Sequence, residues 1–281
     1  MKIHYCSDLH LEFGALDQSM PAGDVLILAG DITLLNCLDP EDEAYYPREA
    51  LRDRTLKFFE SAAKNFGRVF YFCGNHECYD YDISLASKTI RKRLPMVTLL
   101  DGRVVALSDD VILTGGTLWT DMNGGKAHGF IGGNGSVWGA RMNDFNLIWK
   151  SGGKEIRRFT THDAAKLHAK SLRAITKAAE DNPDKTIIVA THHAPTFKGI
   201  NPEHGGNTLD AGYATNLEGF IRARPNIKHW VFGHTHIQKE FKIGGCQLHS
   251  NARGYVGRER SASTFDIDRH FSMPQSRKAA A

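Results

Sequence analysis

The chain has 281 residues, 41% of them hydrophobic, which predicts a folded protein with a sizeable core and excludes a disordered polymer. Thirty-five basic against 32 acidic residues leave a net charge of +3, too little by itself to indicate a nucleic-acid binder. Five cysteines without a CxxC pair exclude a zinc ribbon and give no disulfide framework. No apolar run approaches a membrane span and the MKIHYCSDLH start lacks the apolar core of a secretory signal, so a cytoplasmic protein without a membrane partner is expected.

In chain order, residues 2–6 (KIHYC) and 25–29 (VLILA) read as short buried parallel strands, each ending at a polar motif, Asp8-x-His10 and Gly30-Asp31. Residues 48–66 carry helical spacing through Leu51, Leu56, Phe59 and Ala63. Residues 68–73 form the next expected strand, and Gly74-Asn75-His76-Glu77 follows at once. A helix is expected over 83–93 and strands over 97–100, 103–107 and 111–119, with turns at Asp101-Gly102 and Asp109-Asp110. Residues 120–153, rich in Gly and Asn and without clean periodicity, predict a lid-like excursion. A helix follows over 159–180, with Thr160 or Thr161 as N-cap and Asn182-Pro183 as the stop. The strand at 186–191 delivers His192-His193, a helix covers 214–224, and the strand at 229–233 delivers His234-Thr235-His236. A hairpin over 241–251 turns at Gly244-Gly245, and 263–267 reads as a last strand. One domain over 1–270 and a frayed tail over 271–281 are expected.

Oxygen and nitrogen donors at the ends of apolar strands suit one crevice holding two divalent ions, a clamp for phosphate-ester hydrolysis. Asp8 and His10, two apart, would face the same side of an extended chain. Carboxylate and imidazole donors suit Mn, Fe, Ni, Co or Zn better than calcium, and the lack of cysteine donors argues against a structural zinc site.

In this order the motifs resemble those of the calcineurin-like metallophosphoesterase superfamily, and more closely its SDLHxE branch, which includes phosphodiesterase-like members. Thr117–Asp121, Arg141–Asp144, His192–Pro195 and Asn251–Tyr255 are also similar to that branch. The resemblance implies an α/β fold of two packed mixed β-sheets flanked by helices, a four-layer αββα sandwich. It implies Asp8, His10, Asp31 and His236 at a first metal, and Asn75, His192 and His234 with the shared Asp31 at a second. Manganese is the favoured cofactor, with Fe, Zn, Ni or Co as alternatives. Asn75 would offer a carbonyl oxygen without negative charge, leaving the site net positive for an anionic ester.

The resemblance also implies His76 as the catalytic group that stabilises or protonates the leaving oxygen, after in-line attack by a hydroxide bridging the metals. Arg253 would either steady a substrate phosphate or pair with an acid, and His193 would be a substrate contact or only a neighbour of the ligand His192. Trp119 reads as core packing in preference to lid. Gly30-Asp31-Ile32-Thr33 lacks the VDRG aspartate and arginine of the protein phosphatases. The expected reaction is hydrolysis of a small nucleotide-like phosphodiester. A DNA or RNA nuclease and a non-enzymatic metal-binding scaffold are the alternatives, with nucleic acid not the favoured partner.

Overall fold

The computed structural model describes residues 1–39, 49–132, 142–152, 155–203 and 205–274. Arg48, Arg141, the rest of the expected lid at 133–140 and 153, and the tail from 275 lie outside the described residues.

The chain begins with β1 (Lys2–Cys6), β2 (Gly23–Leu28), α1 (Glu49–Asn65), β3 (Phe66–Tyr71), α2 (Ala86–Arg93) and β4 (Thr98–Leu99). Then come β5 (Val104–Ala106), β6 (Val111–Gly116), α3 (His128–Ile131), α4 (Asp144–Leu147) and the hairpin β7 (Trp149–Gly152) and β8 (Glu155–Arg158). The last part holds α5 (Thr161–Asp181), β9 (Thr186–Thr191), α6 (Asp210–Tyr213), α7 (Glu218–Arg222), β10 (Ile227–Phe232), β11 (Gln238–Ile243), β12 (Cys246–Asn251), α8 (Ser261–Thr264) and β13 (His270–Ser272). One sheet has the order β13-β1-β2-β3-β4 and the other β11-β12-β10-β9-β6-β5. β1 to β4 are parallel, as are β6, β9, β10 and β12; β13, β5 and β11 are antiparallel edges.

Strand parity builds four layers. Alternate residues Ile3, Tyr5, Val25, Ile27 and Phe70 meet Leu113, Ile188 and Val231 between the sheets. The opposite parity, Cys6, Leu26, Leu28 and Val69, packs on Phe58, Phe59 and Ala62 of α1 and Ile90 of α2. On the far side Ile187, Val189 and Trp230 pack on Ile175 and Ala179 of α5 and Ile221 of α7. Strands covered on both faces need unbroken apolar runs, which is why VLIL is buried at every position. The order helix, sheet, sheet, helix is the expected sandwich.

α5 begins with a capping box: the Thr160 hydroxyl accepts from the Asp163 amide at 3.2 Å and the Asp163 carboxylate from the Thr160 amide at 3.1 Å. Asp163 also takes Lys150 Nζ and Arg157 Nη1, both at 2.6 Å, and so ties β7 and β8 to α5. Partial burial works against its charge, but Arg157, Lys150 and Thr160 outweigh this and hold the carboxyl well below its usual range. A depressed folded pKa gives stability that is present above the unfolded value near 4 and is lost as pH falls below it. Thr160→Ala is expected to cost about 1 kcal/mol in chemical denaturation. Asp163→Asn should flatten the loss of melting temperature between about pH 5 and 3; an unchanged acid profile would sink that assignment.

Several boundaries differ from the sequence expectation. β6 stops at Gly116 because Leu118 and Trp119 turn into the left-handed region, at φ 69° and 57°. Trp119 is buried against Phe159 and is core, as favoured. The 214–224 helix shrinks to α7, since Ala214 bridges Ala194 instead. No strand forms at 263–267: α8 ends at Thr264 and residues 265–267 are irregular. The last strand is β13, which runs from His270 into the expected tail: Phe271 pairs with Ile3, and Met273 is buried. Its alternation of apolar and polar residues spans too few positions to stand out in the sequence.

Candidate active site

Every motif sits just beyond the C-terminal end of a strand: Asp8 and His10 after β1, Asp31 after β2, Asn75 and His76 after β3, His192 after β9, His234 and His236 after β10. A parallel bridge between Ser7 and Ala252 joins the two sheets at this edge, so loops from both halves converge. Asp8 and His10 are not extended, as the spacing had suggested. Asp8, His10, Asp31, His234 and His236 all lie in the left-handed region, with φ between 46° and 68°. Their amides bend toward neighbouring loops: Asp8 N–H donates to Gly30 O and His10 N–H to Asp31 O, each at 3.0 Å. Backbone strain of this kind concentrates at functional sites.

Two donor sets result. In one, His10 Nε2 and His236 Nε2 are 3.0 Å apart, and Asp8 Oδ1 is 3.4 Å from His236 Nε2. In the other, His192 Nε2 is 3.3 Å from Asp31 Oδ2 and 3.0 Å from Asn75 Oδ1, with His234 beside them. Asp31 lies between, its Oδ2 also 3.9 Å from His10 Nε2. The seven side chains expected at metals therefore come together.

The tautomers decide what such a site can hold. His10 Nδ1 faces Glu12 Oε1 at 3.0 Å, His236 Nδ1 faces Glu259 Oε2 at 2.6 Å, and His192 Nδ1 faces Ala29 O at 2.8 Å. Each acceptor takes the Nδ1 proton and turns the Nε2 lone pair inward. Lone pairs meeting at 3 Å repel unless a cation sits among them. His234 Nε2, buried without a hydrogen-bond partner among the described residues, adds a further donor of the same kind. Without a metal the carboxylates draw protons: burial opposes the charge on His236 and His192, but Asp8 and Glu259 raise the first to about 10 and Asp31 raises the second to about 9. The donor set fits divalent transition ions of borderline softness.

Close backbone approach makes the cradle. A Cβ on Gly74 would lie 2.1 Å from Asp31 Oδ1 and 2.6 Å from His192 Cε1. One on Gly30, at φ 83°, would lie 2.5 Å from Gly74 N. Only glycine leaves room for the carboxylate there.

His76 stands at the mouth. Its amide donates to Asp31 Oδ1 at 2.8 Å, its Nδ1 meets Glu12 Oε1 at 3.1 Å, and its Nε2 meets the Tyr255 hydroxyl at 3.2 Å. Burial opposes its charge, but Asp31 and Glu12 outweigh it and hold His76 above its ordinary value. A cavity of about 310 Å³ opens beside it, lined among others by Asn75, Tyr79, Asp144, Tyr213, His234 and Tyr255.

Four acids were missed as positioning groups. Glu77 accepts from the amides of Asp31 (2.9 Å), Ile32 (2.7 Å) and Gly74 (2.6 Å) and from the Tyr71 hydroxyl (2.8 Å), locking the β2 and β3 loops together. Burial and Asp31 push it up to about 7, against the pull of those donors. Its place three residues after Gly74, where an acid can reach back to exposed amides, was the available signal. Glu12 continues the alternation of Asp8 and His10. Asp144 accepts from Asn75 Nδ2 and the Tyr79 hydroxyl, each at 2.8 Å, and Glu259 fixes His236; both lie far along the chain and give no local signal.

The two residues weighed as substrate contacts have protein partners. The Arg253 guanidinium is buried and donates to the carbonyls of Leu9 (3.2 Å), Gly14 (3.2 Å) and Ala15 (2.5 Å). It pins the loop that carries Asp8 and His10. Arg253→Met is expected to cost about 2–3 kcal/mol in denaturation, and Arg253→Lys should not rescue it, because an ammonium lacks the planar fork. Full stability in Arg253→Lys would refute this. His193 does not line the cavity: its Nδ1 donates to Thr117 O at 3.2 Å, and its ring packs on Trp119 and His234.

The family model for calcineurin-like phosphoesterases matches residues 1–238. A protein of Acanthamoeba polyphaga mimivirus, uncharacterized protein L509, is 28% identical over 298 residues, spanning 95% of this chain and 96% of the relative. Phosphopantetheinyl hydrolase (PptH) from Mycobacterium tuberculosis superposes with a TM-score of 0.62 over 92% of this chain and 93% of its own, at 15% identity, a likeness of fold alone. Match, fold and donor set agree: the chain belongs to the calcineurin-like phosphoesterase family, whose chemistry is metal-dependent phosphoester hydrolysis.

Proposed function

We propose that this chain hydrolyses a small phosphodiester, with Asp8, His10, Asp31 and His236 holding one divalent ion, and Asp31, Asn75, His192 and His234 the other. The observation that carries the reading is the convergence of inward lone pairs on both sides of Asp31, beside a cavity entered past His76. Two bound ions would supply Lewis acidity toward the phosphoryl oxygens and lower the pKa of a water between them. Manganese is the ion proposed first. Glu12 holds the Nδ1 proton of His76, which leaves Nε2 to carry a proton to the leaving alcohol. Tyr255 holds that ring edge in line by its hydroxyl.

A diester is favoured by the walls. Asp144 and Asp210 stand on the cavity with the amides of Asn143, Asn201 and Asn207. Acids there repel a second negative charge, while amides accept a neutral, hydroxyl-rich alcohol. A cavity of about 310 Å³ suits a small ester rather than a polynucleotide. PptH is by name a phosphopantetheinyl hydrolase, so phosphopantetheinyl compounds are proposed as further test substrates.

The test is hydrolysis of bis-p-nitrophenyl phosphate against p-nitrophenyl phosphate with added Mn²⁺. The expected result is preference for the diester. Preference for the monoester removes the diesterase reading, and activity on neither with two ions bound favours the scaffold.

A further inference from the structure

At the sheet edge formed by β1 and β13, three donors come together that the hydrolytic site does not use. His4 and His270 are directly paired across the strands, their ring centroids 4.8 Å apart. Asp268 stands two residues before His270, and its Oδ1 is 3.0 Å from His4 Nε2. One donor atom from each of the three lies within 4.8 Å of the others.

Each residue is prepared differently. His270 Nδ1 donates to Asp268 O at 2.7 Å, which fixes the tautomer and leaves the Nε2 lone pair free. A backbone carbonyl holding the far nitrogen is the usual support of an imidazole ligand. His4 is 1% exposed, with its Nδ1 toward Gly23 and without a hydrogen-bond partner among the described residues. Its one polar engagement is therefore through Nε2, toward Asp268. The Asp268 side chain is 66% exposed, so the group opens to solvent and leaves positions for water.

We propose that His4, Asp268 and His270 form a second, separate binding site for a divalent transition ion of the zinc class, which fastens the C-terminal strand to β1. Two imidazoles and one carboxylate suit Zn²⁺, Ni²⁺ or Co²⁺ and not Ca²⁺ or Mg²⁺. On binding, the ion replaces the hydrogen bond between His4 Nε2 and Asp268, and the ring proton of His4 passes to Nδ1. That proton finds no acceptor beside Gly23, which keeps the site weaker than a closed four-ligand zinc site. Its effect is mechanical. β13 is held to β1 by three paired residues, and an ion bridging both strands adds a cross-link at this edge of the sheet.

The test titrates the untagged full chain with Zn²⁺ against a chromogenic chelator and follows amide hydrogen exchange at Phe271 and Met273. His270→Ala and Asp268→Asn are expected to bind one zinc fewer per chain than the parent while keeping its phosphoesterase activity. Asp31→Ala should keep the zinc that depends on His270. Zinc should slow exchange at Phe271 and Met273 at least 10-fold in the parent and not in His270→Ala. Equal stoichiometry in parent and His270→Ala, or zinc protection of β13 that survives the substitution, overturns the proposal.

Discussion

Asp31→Ala is expected to abolish hydrolysis, by roughly 10³-fold or more, and to leave at most one divalent ion in the hydrolytic site. The reason is its position. One carboxylate serves both donor sets, 3.3 Å from His192 Nε2 and 3.9 Å from His10 Nε2, and also receives the His76 amide at 2.8 Å. Burial works against its charge, but His192 and His76 outweigh this and hold it well below the usual carboxylate range. Losing it therefore removes the shared charge and the anchor of the His76 loop together. Elemental analysis beside turnover of bis-p-nitrophenyl phosphate reads both effects. Two Mn²⁺ ions retained in a His270→Ala background with activity lost would mean that Asp31 acts on the ester and not on the metals.

His76→Ala should separate chemistry from metal binding. Its ring nitrogens meet Glu12 and Tyr255, although one donor atom of His76 also lies within 4.8 Å of donors on His10 and Asp31. Turnover of an alkyl diester is expected to fall by roughly 10²–10⁴-fold with metal content nearly unchanged. The loss should be smaller with p-nitrophenyl esters, because p-nitrophenolate departs without needing a proton. Equal losses on both esters would reject the role of acid, and loss of metal would refute the assignment altogether.

The two tests divide a site whose donors were legible in the sequence and whose supports were not. Asp8, His10, Asp31, Asn75, His192, His234 and His236 could be read because each closes a short apolar strand, and strand ends are where α/β sheets gather chemistry. The layers were legible for the same reason, since VLILA and TIIVAT admit no exposed face. Asp144 was hidden because it contacts Asn75 from 69 residues away, within a segment whose helix α4 has only one turn. Arg253 stayed open in the sequence between a phosphate contact and an acid pair. Nothing local reveals that three carbonyls of the Leu9–Ala15 turn claim it first. β13 was missed because three residues carry too little alternation to outweigh a polar tail.

The left-handed backbone at Asp8, His10, Asp31, His234 and His236 has a consequence for the life of the molecule. Each such residue costs about 1 kcal/mol relative to glycine, so the metal-free chain carries several kcal/mol of opposition in one edge of its sheets. An ion bound only by the folded form adds stability that grows with its free concentration. The same ions that serve hydrolysis would then act as folding ligands. Melting temperature should rise with metal supply, and a metal-starved cell would lose the protein itself, through unfolding and turnover, as well as its activity.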